Sequence, residues 1–255
     1  MKLPLAVTVS PKNPGRYQQE ARARAAEWGL TYFERAMKSP LEPMLEELAD
    51  VFLVLGGDGW TVHDAKGSLF FSPGMAQVRL RRLAGTAQDE DTILRLCELK
   101  AGDSLVDCTL GLAADAIVCA SVVGPTGRVL GIEASMPLAI IAREGLRALA
   151  ANIEVRHGLA DDVLRTLEPG SFDCVIIDPM FDEPNRASVQ FETLRRFAVH
   201  EPLTHETVRL AQRVARRWVV VKGGRRGAEL TRLGLPRIAV RRASPLQWAR
   251  LPGGA

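Results

Sequence analysis

Apolar residues from about position 100 onwards occur in short runs, and the segments between the runs have the spacing of amphipathic helices. The runs predict strands at 105–108, 128–133, 153–156, 172–177 and 218–222. Strands that alternate with helices of this length indicate βαβ units and a mainly parallel sheet. Two further strands are expected near 237–241 and 246–250, and the few residues between them cannot form a helical crossover. The pattern therefore predicts an α/β fold, a doubly wound, mainly parallel seven-stranded sheet with an antiparallel hairpin at its edge.

The first part of the chain carries a shorter series of the same patterns. Strands are predicted at 5–10, 30–34 and 51–57, with helices between them at 16–28 and 41–49. A hairpin that turns around 65–68 and a third helix near 75–84 follow. The small polar residues at 84–91 are typical of a linker. We therefore expect a small α/β N-terminal subdomain over 1–88 and a larger domain over 89–255.

Composition narrows the class of protein. The 255 residues are 47% hydrophobic and 25% charged, which fits a globular chain with a core of its own. No apolar run approaches the roughly 18–20 residues needed to cross a bilayer, and the N-terminus lacks the features of a signal peptide. The four cysteines include no CxxC pair, so we expect buried thiols rather than a metal site or disulfides. A cytoplasmic protein is the expectation.

Charge is distributed unevenly along the chain, although the net charge is only +3. Residues 1–182 contain 18 Lys and Arg against 25 Asp and Glu, whereas residues 183–255 contain 15 against 5. Fourteen of those 15 cations are arginines. Such a region fits either a solvated surface or a basic face for a polyanion such as RNA, and charge alone does not decide between them.

Polar residues directly follow three of the predicted strands, at the edge where an open parallel sheet binds its ligands. The first strand runs into Asp107 and a tight turn at Gly111, after which a helix begins. The second strand ends in Glu133, an acid suited to hold both hydroxyls of a ribose. The fourth strand ends in Asp178-Pro179-Met180-Phe181. Together these positions predict a cofactor that contains a nucleoside.

The turn after the first strand, TLGLAAD at 109–115, distinguishes between two such cofactors. A nicotinamide dinucleotide needs glycines around its pyrophosphate, and only Gly111 is present here. S-adenosylmethionine has no phosphate, so a single glycine suffices, but its ammonium group requires an acid. Asp107 and Asp115 are candidates for that acid. The turn therefore favours S-adenosylmethionine.

The Asp-Pro-Met-Phe motif has the groups needed to methylate an amino group on a nucleobase. Such a nitrogen is a poor nucleophile because its lone pair is delocalised into the ring. Asp178 and the carbonyl of Pro179 would accept its two hydrogens and direct the lone pair at the methyl group. Phe181 would stack on the base, an interaction worth roughly 1–3 kcal/mol. The alternative is a structural turn that is capped by Asp178 and has Phe181 in the core. The chemistry needs no metal, and the turn lacks the cysteine that carbon-5 methylation of cytosine requires.

Four stretches resemble class I S-adenosylmethionine-dependent methyltransferases, namely VDCTLGLAADA at 106–116, the strand that ends in Glu133, DPMF at 178–181 and VVVK at 219–222. The likeness is greatest to the family of the bacterial small-subunit ribosomal RNA (guanine 2-amino) methyltransferase J and its Gram-positive relatives. It is strongest over about 103–223 and weakens over the first 85 residues, which look more like the Gram-positive relatives. The resemblance implies S-adenosylmethionine as cofactor and structured RNA or the small ribosomal subunit as partner. It also implies methyl transfer to an amino group of guanine.

Residue assignments follow from the motifs and the resemblance together. The residues predicted to bind the cofactor are Asp107, Gly111, Ala114, Asp115, Glu133, Ala134, Gly158, Leu159, Asp161 and Asp178. The chain departs from the family at Ala113-Ala114, where a Gly-Arg pair is usual, and at Leu159, which replaces a polar residue beside the adenine.

The predicted catalytic residues are Asp178, Pro179 and Phe181, and Arg186, Arg195 and Arg196 are expected to contact RNA phosphates. Two other functions remain open. The acceptor could be adenine in DNA or a protein amide, or the chain could be a non-catalytic RNA-binding module that depends on the cofactor. The amine-activating turn disfavours the last, because a binding module does not need one.

Overall fold

Five short strands in the first 85 residues form a sheet of their own in the computed structural model, which describes residues 1–85, 91–149, 151–180, 189–238, 240 and 246–254. The strands are β1 (Ala6–Val9), β2 (Thr31–Tyr32), β3 (Phe52–Gly56), β4 (Gly59–Asp64) and β5 (Gly67–Phe70). Their order is β2-β1-β3-β4-β5, parallel from β2 to β3 and antiparallel from β3 to β5. Helices α1 (Pro14–Glu27) and α2 (Glu42–Glu47) connect the parallel strands. This sheet is the predicted small N-terminal α/β unit.

The second sheet contains seven strands within the described residues. They are β6 (Ser104–Asp107), β7 (Arg128–Glu133), β8 (Ile153–His157), β9 (Phe172–Ile177), β10 (Ala215–Gly223), β11 (Arg237–Ile238) and β12 (Gln247–Pro252). Their order is β11-β12-β10-β9-β6-β7-β8, with β6 to β10 parallel, β12 antiparallel to β10 and β11 antiparallel to β12. The predicted fold class is confirmed, including the antiparallel hairpin at the edge.

Helices cover both faces of the second sheet. They are α3 (Gly74–Gly85), α4 (Thr92–Cys97), α5 (Ala114–Val123), α6 (Met136–Ala148), α7 (Ala160–Thr166), α8 (Val189–Phe197), α9 (His205–Val214) and α10 (Ala228–Arg232). Side-chain caps fix two of their starting points. The Asp91 carboxylate accepts from the first free N–H groups of α4, and the Thr204 hydroxyl accepts the Thr207 N–H at 3.0 Å in α9.

One apolar cluster joins the first sheet to helices α6 and α8. Val7, Leu53 and Val62 of the first sheet are fully buried against α6 residues such as Ile141, and Phe197 of α8 joins the same cluster. Helix α6 also packs on β7 and β8 of the second sheet, whereas α8 packs on β5 of the first. The first sheet therefore contacts a helix of the larger unit and the helix that leads into the segment 198–207.

The predicted domain boundary at residue 88 and most of the predicted linker lie outside the described residues. On the N-terminal side of that boundary, α3 packs on α5 of the second sheet. Ala76 of α3 is fully buried in the core of the larger unit. Residues 74–85 therefore pack with the second sheet, although they precede residue 88.

All four cysteines, which the structure describes, are buried and carry free thiols, as predicted. No helix in the described part of the chain is long and apolar enough to cross a membrane.

Candidate active site

A cleft of about 310 Å³ opens at the carboxyl ends of the parallel strands. It lies at the point where the strand order reverses, between β6 and β9, which is the expected ligand position in an open α/β sheet. Seven of the predicted site residues line it: Gly111, Glu133, Ala134, Leu159, Asp161, Asp178 and Pro179. Another wall comes from residues 198–207, which comprise the loop between α8 and α9 and the first residues of α9.

The turn between β6 and α5 is anchored on both sides. The Cys108 N–H donates to the Ile176 carbonyl of β9 at 2.9 Å, and the Leu110 N–H donates to Ile132 of β7 at the same distance. Gly111 then adopts a left-handed conformation with φ of 52°, and no atom lies within 4 Å of the point where a Cβ would stand. The turn thus presents bare backbone to the cleft, as a closely approaching ligand requires.

Glu133 fixes the floor of the cleft. Its Oε2 accepts the Gly111 N–H at 2.8 Å and its Oε1 accepts the Ser135 N–H at 2.8 Å. Burial raises the pKa of this carboxyl, while the N–H groups of Ser135 and Gly111 favour its ionised form. The carboxylate is therefore held rigidly at the end of β7, with a small exposed surface towards the cleft.

A chain of hydrogen bonds joins the ends of β6 and β9. The Asp178 N–H donates to the Thr109 hydroxyl at 2.7 Å, and the Thr109 N–H donates to Asp107 Oδ1 at 3.0 Å. Asp107 is buried beneath the cleft, with 2% of its surface exposed. Its burial, reinforced by nearby Asp115, raises the pKa of its carboxyl to about 8.

Asp178 is paired with a cation that sequence reasoning missed. Nζ of Lys222, near the end of β10, donates to Asp178 Oδ2 in a short ion pair. Burial raises the pKa of Asp178 to about 6, with Lys222 acting in the opposite direction. The signal in the sequence is that Lys222 follows three consecutive valines at the carboxyl end of the strand that neighbours β9.

Asp115 also has an internal partner. Arg79 of α3 donates to Asp115 in a short contact and grips Asp91 through two nitrogens, at 2.8 and 3.0 Å. Burial opposes the charge of this guanidinium, but Asp91 and Asp115 together hold its pKa above the usual value. Asp115, proposed from the sequence as a partner for an ammonium group, is thus already engaged by α3.

The remaining predicted residues take different positions. Ala114 is the first residue of α5, next to Ala113, which carries a positive φ of 63° at the position where the resemblance led us to expect glycine. Gly158 donates its N–H to the Glu133 carbonyl at 3.0 Å and lines a neighbouring open groove rather than the cleft. Leu159, 37% exposed, presents an apolar face to the cleft.

The arginines predicted to contact RNA are not alike. Arg196 of α8 forms a two-nitrogen ion pair with Asp64 of β4, at 2.9 and 3.1 Å. A phosphate would therefore have to compete with this carboxylate. The carbonyl of Arg195 accepts a hydrogen bond from Nε2 of His200 at 2.7 Å, and Arg195 has a further interaction within the protein. Phe181 and Arg186 lie outside the described residues.

These groups fit S-adenosylmethionine. Glu133 offers a carboxylate for hydroxyl groups, Gly111 offers open backbone, and Leu138 and Leu159 offer apolar surface for a flat ring. Asp161, in the first turn of α7, adds an acceptor on the same side.

Comparison with known proteins gives consistent results. Residues 61–238 match the family described as "Putative SAM-dependent methyltransferase". The chain is 32% identical over 228 residues to the uncharacterised protein YpiP of Bacillus subtilis (strain 168), which covers 85% of this chain and 87% of that protein. It is 28% identical over 145 residues to the ribosomal RNA small subunit methyltransferase J of Alteromonas mediterranea, covering 52% of this chain and 55% of that protein.

Among solved structures, the fold is similar to that of the SAM-dependent methyltransferase NGO1261 from Neisseria gonorrhoeae. The TM-score is 0.66 at 20% identity, and the match covers 98% of this chain and 97% of that one. The family match includes the strands and turns that build the cleft. The chain therefore belongs to the family of SAM-dependent methyltransferases, and its cofactor is S-adenosylmethionine.

Proposed function

We propose that this methyltransferase transfers a methyl group to an exocyclic amino group of guanine in ribosomal RNA. The observation that carries the proposal is the position of Asp178 and Pro179, which line the same cleft as Gly111 and Glu133. An acceptor held by the first pair would lie beside a cofactor held by the second.

The cofactor supplies a methyl group on a positively charged sulfur. An amino nitrogen conjugated with a ring must free its lone pair before it can attack that carbon. Asp178 and the carbonyl of Pro179 would each accept one N–H, which favours a tetrahedral nitrogen. The new N–C bond forms as the C–S bond breaks, its electron pair stays on sulfur, and the nitrogen releases one proton to the solvent.

The surroundings of Asp178 suit this role. Thr109 accepts its backbone N–H, and the Lys222 pair leaves the other carboxylate oxygen, Oδ1, for the acceptor. Pro179 has no N–H of its own, and its ring restricts the backbone that presents the carbonyl. A fixed acceptor pair contributes to rate by alignment rather than by tighter binding of the ground state.

The choice of RNA rests on chemistry and on one relative. The Alteromonas mediterranea protein, similar over about half its length, is named as a ribosomal RNA small subunit methyltransferase. We propose that Phe181 stacks on an unpaired or flipped guanine, because a base inside a duplex cannot enter such a turn. Arg186 and Arg195 remain proposed phosphate contacts.

The test is tritiated-methyl transfer to small ribosomal subunits, free ribosomal RNA, DNA and protein in parallel, followed by nucleoside analysis. We expect label on the 2-amino group of guanine in RNA. Label in adenine of DNA or in a protein amide would replace the proposed acceptor. Cofactor and RNA binding without any transfer would indicate a binding module.

The same assay tests Asp178. We expect Asp178→Ala to lower single-turnover methylation about 100- to 1,000-fold, as when one oriented transition-state contact is removed. Asp178→Asn should lower the methylation rate less, because the amide oxygen of asparagine still accepts one hydrogen bond. RNA affinity should change little in either variant, and the control is Asp50→Ala, at an exposed acid that precedes β3. Full activity in Asp178→Ala would contradict the mechanism.

A further inference from the structure

Lys222 is partly buried where β10 reaches the cleft edge. Its side chain is 19% exposed, and its ammonium group lies 5.8 Å from the centre of the Trp248 ring on β12. A lysine in such surroundings loses hydration that a surface lysine keeps, so it is stable there only with a partner. That partner is Asp178.

The charges that face Asp178 come from four elements. Acids are contributed by β6 with Asp107 and by α5 with Asp115, and cations by β10 with Lys222 and by α3 with Arg79. Arg79 already binds Asp91 and Asp115 directly. Among the described residues, Lys222 is therefore the cation in contact with Asp178, and without it the carboxylate would face two other carboxyl groups.

We propose that Lys222 is a positioning residue, which keeps Asp178 ionised and fixes the direction of its carboxylate towards the acceptor amine. This inference rests on the proposed function, in which Asp178 accepts a hydrogen from that amine. Lys222 holds Oδ2, and the backbone of Asp178 is held by Thr109. The carboxylate is thus restrained at both ends, with Oδ1 left for the acceptor.

The first experiment compares pH profiles of single-turnover methylation for the wild type, Lys222→Met and Lys222→Arg. A neighbouring opposite charge lowers the pKa of a carboxyl by about 1–3 pH units. If the acid limb of the profile moves up by two pH units in Lys222→Met, from about pH 6, the rate falls about tenfold at pH 7 and recovers to within about twofold at pH 9.

Two variants give the controls for this profile. Lys222→Arg should keep the acid limb near that of the wild type, because it retains the charge. Lys2→Met makes the same substitution in a lysine–aspartate pair just outside the strands of the first sheet, with Asp50 at 2.9 Å, and should not shift the profile. A purely structural role for Lys222 would instead lower the rate equally at every pH.

A second readout does not depend on methyl transfer. Titration of Asp178 by carboxylate ¹³C NMR, assigned with Asp178→Asn, should show a higher midpoint in Lys222→Met than in the wild type. By reciprocity, Asp178→Asn should lower the midpoint of Lys222, which covers the case in which Lys222→Met does not fold.

These two readouts also separate the two proposals. An inactive wild type with the expected titration shifts would refute the proposed acceptor and leave the coupling of Lys222 and Asp178 intact. Unchanged midpoints in both variants, or an unshifted rate profile in Lys222→Met, would overturn the role assigned to Lys222.

Discussion

Asp107 occupies an unusual environment for a carboxyl group at the end of a strand. It is almost completely buried, and the acids Asp115, Asp178 and Glu133 all act to raise its pKa. Its Oδ1 accepts the N–H of Thr109, the residue whose hydroxyl holds Asp178. A protonated Asp107 leaves the nearby acids Asp115 and Asp178 matched by the cations Arg79 and Lys222.

The protonation of Asp107 makes stability depend on pH. Its pKa is about 8 in the folded protein and 3.8 ordinarily, so the stabilisation is complete below pH 4 and is lost as the pH rises through 8. Between those values the free energy of unfolding falls by about 1.4 kcal/mol per pH unit from this group. We expect Asp107→Asn, whose amide oxygen can still accept from Thr109, to remove that dependence.

The measurement is urea unfolding at pH 6, 7, 8 and 9. From pH 6 to pH 9 the wild type should lose about 2–3 kcal/mol relative to Asp107→Asn. Asp50→Asn, at an exposed position, provides the baseline. Parallel curves for the wild type and Asp107→Asn would contradict the raised pKa.

Residues at strand ends can be predicted from the sequence, whereas their partners cannot. Glu133 and Asp178 follow apolar runs, so their place at the cleft follows from sheet geometry alone. The Arg79–Asp115 pair joins residues 36 positions apart and the Lys222–Asp178 pair joins residues 44 apart. No local pattern encodes such distances, because they depend on how the elements pack.

At the scale of whole elements, α6 meets the end of the first sheet at a glycine. A Cβ added to Gly145 would lie 2.1 Å from Cγ of Phe71 and 2.8 Å from its Cβ, so the ring could not simply turn aside. Gly145→Ala should destabilise the protein by about 1–2 kcal/mol, although alanine favours helix by about 1 kcal/mol.

The matched control is Gly15→Ala in α1, where no atom lies within 4 Å of an added Cβ. That variant should be as stable as the wild type or more so. The double variant Gly145→Ala/Phe71→Ala should lose less stability than the sum of the losses in the two single variants. Additive losses in thermal unfolding would show that Phe71 is not the obstacle.

Strands and helices are largely predictable here because each carries a clear period. The strand bounds expected at 128–133 and 172–177 agree with β7 and β9. The wall at 198–207 is different, because its loop has neither a strand nor a helix pattern, yet it faces the cleft. Its place is set by Phe197, which packs in the cluster shared with the first sheet.

At the scale of the whole molecule, ion pairs within the protein neutralise part of the positive charge that the sequence concentrates in residues 183–255. Four arginines from residues 183–255, where cations are in excess, pair with acids from residues 1–182, where acids are in excess. The pairs are Arg196 with Asp64, Arg216 with Asp173, Arg217 with Asp103, and Arg250 with Glu98. Part of the excess positive charge therefore holds the chain together rather than attracting a polyanion.

Arg225 is placed differently. It is exposed in the turn that follows β10, three residues beyond Lys222, and so lies at the edge of the sheet that carries the cleft. If RNA enters there, Arg225→Gln should reduce the slope of log affinity against log salt by about 0.7–0.9. Arg216→Gln, at the opposite end of β10 and paired with Asp173, should leave that slope unchanged.

Filter binding of ribosomal RNA between 50 and 300 mM salt measures both slopes. An equal effect of the two substitutions would mean that the turn after β10 has no special part in RNA binding.

The apolar cluster that joins the first sheet to α6 and α8 limits which related proteins can exchange their N-terminal parts and still fold. A gene fusion that exchanged residues 1–88 would place Leu53 and Val62 from one parent against Ile141 and Phe197 from the other. Differences in side-chain volume between the two parents would disturb the packing of Phe197 in this cluster, and Phe197 directly precedes the segment that lines the cleft. Descent of the two sheets as one unit is therefore the expected history, and substitutions on one side of the cluster should be matched by compensating ones on the other.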